Sequence, residues 1–471
     1  MLIVRLLKND SVLHYLLLII LFAALRLLLF LQHPQALNEE IAFIEIGRRL
    51  QEGDVLYRDL WVSTSPLSAM CYWLLSFLGD FPLLAFRLAA SLIGLWVVLR
   101  FNALCMQLHL YNQRHVLVGF FMAVFFNAHP AFLVLSPELL AMPALMWVIY
   151  YSIRQIDEGT QKSYLLEAGF FMSIVLLIHL PYWWLLAACI FAYFLYSNAN
   201  ATQQLSFVFT AGMPLLLVLL FFYWTGDFNS VATHWLLQAL QAARSVFLEE
   251  NVFLWGIPLL VLFGIFLVGT WQSPQFINYQ VRAQMTLFWL GTAAGLLFWF
   301  GDFKQWYNFY LPLSVVAFYA THYLLIIKKK WMQELCAWLL IGWGGSLLFF
   351  GTANKPEKTL PTIPAAGASA RVWVIGYDYE WYRQYRSATP FFDYKLSRRY
   401  LDQLNHYGAC EYLAQTILQS PPAFIIDSMQ RWEEISRQIP LLGAHYRPTR
   451  LPHVYRYTPK ANGVPPFRTA D

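Results

Sequence analysis

The sequence predicts a polytopic α-helical membrane protein with about eleven transmembrane helices and a small C-terminal α/β domain outside the membrane. Two observations lead to this fold class. The 471 residues are 59% hydrophobic and only 13% charged, whereas a soluble domain carries roughly 25% charged residues. The apolar residues also gather into runs of about 20, the length of a helix that crosses a bilayer, and these runs stop near residue 351.

Eleven apolar runs are candidate spans. They cover residues 12–32, 83–106, 116–134, 138–153, 165–180, 181–197, 206–224, 253–270, 285–301, 307–327 and 333–351. Residues 1–351 are therefore expected to form a membrane module, in which 33–82 is the first outer loop. A Pro/Ala/Lys linker over 352–370 follows.

The cationic residues indicate the orientation of the spans. With the N-terminus inside, the inner loops hold Arg5, Lys8, Arg100, Arg114, Arg154, Lys162, Arg282, Lys328, Lys329 and Lys330. The short outer loops hold only Lys304. Because cytoplasmic loops carry the excess of Lys and Arg, the N-terminus is predicted to be cytoplasmic and the C-terminal domain to lie outside.

Residues 371–471 are predicted to fold as a soluble α/β domain. Strands are expected at 372–376, 423–426 and 454–457, and helical patterns near 397–406, 410–419 and 429–438 lie between them. The first strand has no GxGxxG after it, which argues against a dinucleotide site.

Charge and cysteine content exclude two classes of function. The net charge is +5, and no Lys/Arg cluster with interleaved aromatic residues is present, so a nucleic-acid partner is not expected. The five cysteines include no CxxC pair, which argues against a zinc or redox site.

Polar residues interrupt the apolar texture mainly at the outer ends of the predicted spans. They are Glu39, Glu40, Glu138, His179, Asp302 and Lys304. Ionisable groups near a membrane are costly and often mark function, although each alone is also compatible with a solvated helix end. Glu39 and Glu40 have a specific structural alternative, since acids suit the first turn of a helix that Asn38 would cap.

The first outer loop carries a series of motifs: Glu39-Glu40, Gly47-Arg48-Arg49-Leu50, Gly53, Tyr57-Arg58-Asp59-Leu60-Trp61 and Pro66. This series resembles the first outer loop of the GT-C glycosyltransferases, in particular the protein O-mannosyltransferase and aminoarabinose-transferase branch. Weaker similarity continues at Ser136-Pro137-Glu138, at Ile178-His179-Leu180-Pro181, and from Lys304 to Pro312 with Tyr307 and Tyr310.

The resemblance implies a glycosyltransferase of the bacterial inner membrane. The donor would be a sugar on a polyprenyl phosphate, with its lipid between the spans and its sugar on the outer, periplasmic face. Glu39 or Glu40 would deprotonate an acceptor (lipid, glycan or protein), which attacks C1 with inversion. The implied substrate-binding residues are Glu138, His179, Arg58, Lys304, Tyr307 and Tyr310. The cation that offsets the leaving phosphate would be Lys304, His179, Arg58 or a divalent metal held by Glu39 and Glu138.

The chain departs from the family pattern at four places. Glu39 and Glu138 stand where the family usually has Asp, His179 stands where many members have Lys, and Thr64-Ser65 replaces Lys-Pro. A second interpretation therefore stays open: a catalytically inactive GT-C-fold subunit of a cell-envelope membrane complex. A transporter is less favoured, because transporters place ionisable groups near the bilayer midplane.

Overall fold

The computed structural model describes residues 4, 7–79, 82–158, 164–197, 199–240, 250–271, 278–300, 306–350, 361, 363 and 370–459. Contacts between residues divide the chain into two compact units. The helical unit comprises Met1–Gln35, Leu84–Phe221 and Ala239–Lys355. The composite unit comprises Ala36–Leu83, Phe222–Gln238 and Pro356–Asp471.

Long apolar helices confirm the predicted membrane protein. Six helices of the described residues are long and apolar enough to cross a membrane: Val12–Gln32, Pro82–Gln107, Pro137–Ile156, Ala201–Trp224, Trp306–Ile326 and Lys330–Phe349. Shorter apolar helices cover Leu165–Ile178, Leu180–Tyr196 and Gly256–Trp271, and a further helix covers Asn278–Phe300. The chain is a polytopic α-helical membrane protein, while the count of eleven crossings and their orientation stay predictions.

The predicted third span, 116–134, is wrong as a continuous helix. Its α-helix covers only Leu117–Phe125, which rises about 14 Å, or about half of a ~30 Å hydrocarbon core. A 3₁₀ turn over Pro130–Leu133 follows. Proline disfavours a helical conformation in the residue before it, and His129 is accordingly extended, with φ −144° and ψ 145°. Each of the other predicted runs overlaps a helix.

The C-terminal residues form the predicted α/β domain around a five-stranded sheet. Strands β1 (Arg371–Ile375), β2 (Arg386–Ser387), β3 (Phe424–Asp427), β4 (Tyr446–Pro448) and β5 (Val454–Tyr457) lie in the order β2-β1-β3-β5-β4. β1 pairs in parallel with β2 and β3, whereas β5 pairs antiparallel with β3 and β4. The sequence predicts β1, β3 and β5. It misses β2 and β4, which are too short to show a hydropathy pattern.

Four helices accompany this sheet. They cover Tyr394–Leu401, Tyr407–Gln419, Trp432–Gln438 and Pro440–His445, and their apolar residues share one core with those of β1 and β3. Most of the predicted linker, 352–370, lies outside the described residues.

The first outer loop belongs to the composite unit, whereas the sequence predicts it as part of the membrane module. It forms two helices, Asn38–Gln51 and Pro66–Ser76. They pack so closely that a Cβ at Gly47 would collide with the backbone carbonyl of Tyr72. A glycine inside a helix usually costs stability, so this one is explained by the close approach of the two backbones.

Trp61 anchors the first outer loop in the core of the α/β domain. Its backbone N–H donates to the carbonyl of Pro390 at 2.9 Å, and the N–H of Asp393 donates to its carbonyl at 3.2 Å. The Trp61 side chain is 2% exposed, and its ring meets that of Phe391 edge-on, with centroids 4.9 Å apart. Loop and C-terminal residues therefore share one core.

Candidate functional site

The acidic pair of the first outer loop occupies two different environments. Glu40 is 1% exposed, and its Oε2 accepts the backbone N–H of Leu37 at 2.8 Å. That bond satisfies one of the backbone donors that every helix leaves open at its N-terminus. Glu39 is partly buried and interacts electrostatically with Tyr379. The Glu40 carboxylate thus caps its own helix.

Other polar residues of this helix hold the α/β domain. The N-cap is Leu37 and not Asn38, whose side-chain nitrogen instead donates to the carbonyl of Tyr377 at 2.8 Å. Glu45 Oε1 accepts the backbone N–H of Ser387 at 2.9 Å. Burial raises the pKa of the Glu45 carboxyl. No sequence pattern predicts this role for Glu45, since its partner lies far away in the sequence.

Arg58, a predicted substrate-binding residue, is exposed but tethered. Its side chain is 53% exposed, its Nη2 lies 3.1 Å from Asp59 Oδ2, and its Nη1 lies 3.9 Å from Asp227 Oδ1. The hydrogen bond to Asp59 and the charge of that carboxylate raise the pKa of Arg58, so the guanidinium remains charged. The structure therefore presents a fixed cation on the surface of the composite unit.

Glu138 and His179 come together inside the helical unit. Glu138 lies in the first turn of helix Pro137–Glu158, and His179 directly follows helix Leu165–Ile178. Glu138 Oε1 is 3.6 Å from His179 Nε2. Glu138 is 7% exposed, and its Oε2 is buried without a hydrogen-bond partner among the described residues. Buried polar atoms are normally hydrogen-bonded, so within the described part of the chain this oxygen still lacks a donor.

Two tyrosines and an arginine complete this cluster. The ring of Tyr182 packs on the imidazole, with centroids 4.7 Å apart, and its buried hydroxyl has no hydrogen-bond partner in the part of the chain that the structure describes. Tyr310 donates its hydroxyl proton to the carbonyl of Phe132 at 3.0 Å, and Arg26 Nη1 donates to the same carbonyl at 2.6 Å. Both tyrosines interact electrostatically with Glu138.

The structure says less about the remaining predicted site residues and about the predicted metal. Tyr307 lies in the 3₁₀ turn Trp306–Phe309 and is 4% exposed, and Lys304 lies outside the described residues. Among the residues described, no group of three or more His, Cys, Asp or Glu side chains is arranged to hold a metal. Glu39 belongs to the composite unit and Glu138 to the helical unit. The divalent cation stays a prediction, and no chemical step is assigned to it.

Neither Tyr182 nor Arg26 is among the predicted site residues, although each has a local signal in the sequence. Tyr182 follows His179 by three residues, a spacing that brings side chains together on a helical turn. Arg26 is an ionisable residue inside the first apolar run, which is by itself a sign of function. Neither signal reveals the shared carbonyl of Phe132, because that contact depends on tertiary packing.

Comparisons with known proteins give limited guidance. No family model matches the sequence, and no curated protein matches it. Among solved structures, the chain is similar to an oligosaccharyltransferase of Archaeoglobus fulgidus in complex with zinc and sulfate. The two share 12% sequence identity, the match covers 90% of this chain and 71% of that chain, and the TM-score is 0.45. A likeness at this level assigns the chain to no family.

Proposed function

We propose that this chain is a glycosyltransferase of the bacterial inner membrane, which moves a sugar from a polyprenyl-phosphate donor to an acceptor on the outer face. The observation that carries the proposal is the Glu138–His179 pair, whose buried carboxylate oxygen Oε2 has no hydrogen-bond partner among the described residues. Burying an incompletely satisfied charged group is costly. Within a membrane protein such a group is by default a candidate for function.

The cluster around this pair suits a phosphate leaving group. In the reaction, the acceptor oxygen bonds to C1 of the sugar while the bond from C1 to the phosphate oxygen breaks with inversion, leaving its electron pair on the lipid phosphate. Protonated His179, held by Glu138, would donate to that phosphate, and the Tyr182 hydroxyl would donate beside it. Arg58, Lys304, Tyr307 and Tyr310 stay predicted substrate-binding residues.

A base must take the proton of the acceptor hydroxyl, and we assign this role to Glu39. Its neighbour Glu40 already accepts the N–H of Leu37, so proton transfer to Glu40 would weaken the cap of its own helix. A carboxylate that accepts the proton as the acceptor oxygen bonds to C1 contributes typically 10²–10⁴-fold to the rate. The acceptor class remains lipid, glycan or protein.

A catalytically inactive subunit of a cell-envelope complex is the second candidate. The observation favouring it is that polar groups of the first loop hold the fold of the composite unit. Glu45 accepts the N–H of Ser387, and Arg49 Nη1 donates to the carbonyl of Thr389 at 2.7 Å. A scaffold would keep such contacts and bind no sugar donor.

Thermal unfolding of the purified chain with a panel of polyprenyl-phosphate sugars separates the two candidates. A ligand that binds only the folded state raises Tm, by the equivalent of about 2.7 kcal/mol at 100 times Kd. We expect one donor to raise the Tm of the wild type and of Glu167→Gln, which changes an exposed acid, but not that of Glu138→Gln. A folded wild type that no donor stabilises would favour the inactive subunit.

A further inference from the structure

A π-helical turn of the composite unit forms hydrogen bonds to two residues of the first outer loop, and we call this pair of contacts the clamp. Residues Ala232–Leu236 form this turn, a geometry that is rare and frequently found at functional sites. It carries two buried side chains, His234 and Trp235. His234 Nδ1 lies 3.0 Å from the carbonyl oxygen of Tyr57, and Trp235 Nε1 donates to Ser65 Oγ at 3.0 Å.

The bond to Tyr57 fixes the tautomer of His234. A carbonyl oxygen can only accept, so Nδ1 carries the proton. Burial lowers the pKa of His234 by more than the bond to Tyr57 raises it, which keeps the ring neutral. The imidazole also packs on the indole of Trp61, with ring centroids 4.3 Å apart. Both the orientation and the protonation of this ring are therefore set by the fold.

The residue that His234 holds has an unusual conformation. Tyr57 has a φ of 69°, which is rare for a bulky side chain and persists only where the surroundings impose it. Its hydroxyl donates to the carbonyl of Thr64 at 2.7 Å, and its ring stacks on Trp235 with centroids 6.1 Å apart. A residue in the left-handed conformation changes the direction of the backbone, so the conformation of Tyr57 sets the direction of the next side chain, that of Arg58.

We propose that His234 is a positioning residue for Arg58, and that the Arg58 guanidinium placed in this way binds the phosphate of the lipid donor. Asp227, which precedes the π-helical turn in the sequence, lies 3.9 Å from Arg58 Nη1. Residues 227–236 therefore bind the carbonyl of Tyr57 through His234 and attract the charge of Arg58 through Asp227. At that distance no hydrogen bond forms. Among the described residues, the N–H groups of Nη1 therefore remain able to donate to an anion. The identity of the ligand rests on the proposed function.

Two substitutions of His234 separate the effect of the hydrogen bond from the effect of the ring volume. His234→Asn retains a donor near the position of Nδ1, whereas His234→Phe retains the ring on Trp61 and removes the donor. His406→Phe, at an exposed histidine of the same unit, is the matched control. Undecaprenyl phosphate, the leaving group shared by such donors, serves as the probe, and undecaprenol, which lacks the phosphate, reports binding of the lipid alone.

We expect His234→Phe to raise the Kd for undecaprenyl phosphate roughly tenfold or more, the cost of a lost bond to a charged group. The Kd for undecaprenol should not change, and His234→Asn should bind like the wild type. In an Arg58→Gln background, His234→Phe should have no further effect, because coupled residues are not additive. Equal losses for both lipids, or full additivity with Arg58→Gln, would overturn the proposal.

Backbone hydrogen exchange of residues 55–62 tests the clamp without any ligand. Exchange should accelerate in His234→Phe and stay at the wild-type rate in His234→Asn and His406→Phe. Unchanged exchange in His234→Phe overturns the positioning role, whatever the lipid titrations give. Faster exchange with no binding of undecaprenyl phosphate to the wild type would keep the clamp, but it would refute the phosphate ligand and count against the proposed function.

Discussion

Glu138 Oε1 and His179 Nε2 lie 3.6 Å apart, one in the first turn of a helix and the other just beyond the end of the next helix. The separation exceeds that of a hydrogen bond, so Glu138 attracts the imidazole by charge when His179 is protonated. This relationship motivates the first prediction.

Replacing His179 distinguishes a need for charge from a need for polarity. His179→Lys places a permanent cation at this position, whereas His179→Gln places a polar group without charge there. We expect His179→Lys to bind the stabilising donor at least as tightly as the wild type, and His179→Gln to bind it roughly tenfold or more weakly. Titration calorimetry measures both. Equal affinity in the two variants would mean that this position does not contact an anion.

The two acids of the first outer loop should respond differently to the same change. Glu40→Gln retains an amide oxygen that can accept the N–H of Leu37, so we expect its Tm and its sugar-transfer rate to match the wild type. Glu39→Gln should retain donor affinity and lose about 100-fold or more in rate, since the base is gone. Product formation from a labelled donor gives the rates. Loss of transfer in Glu40→Gln with an unchanged Tm would instead identify Glu40 as the base.

Acid should weaken the composite unit through His234. Burial lowers the pKa of this histidine in the folded chain, so the unfolded chain binds more protons and stability increases with pH. The contribution is complete above the unfolded pKa, about 6.5, and is lost as the pH falls below it.

The variant His234→Asn lacks this titration. As the pH falls from about 7 to about 5, we therefore expect the free energy of unfolding of the wild type to decrease relative to that of the variant. Urea unfolding followed by tryptophan fluorescence at several pH values measures it. Parallel stability curves for the two proteins would contradict the expected shift.

Local properties made the membrane helices predictable, because a segment that faces lipid is apolar along most of its length. The 116–134 run failed for an equally local reason, the helix-ending Pro130. The attachment of the first outer loop is different: the N–H of Trp61 donates to the carbonyl of Pro390, and no periodicity reports a contact between such distant residues. In the same way, sequence singled out Glu138 and His179 separately, but only packing of their helices brings them together.

The close approach of the two first-loop helices predicts a large effect from a small substitution. Gly47→Ala would press a methyl group against the Tyr72 carbonyl, and the helices must separate because a backbone atom cannot turn away. We expect a loss of about 1–3 kcal/mol in the free energy of unfolding of the composite unit. Gly408→Ala is the control, since a Cβ there meets no atom within 4 Å. In helix Tyr407–Gln419 it should stabilise by up to about 1 kcal/mol. Urea unfolding followed by tryptophan fluorescence compares the two, and a Gly47→Ala protein as stable as Gly408→Ala would mean that the two helices do not pack at this distance.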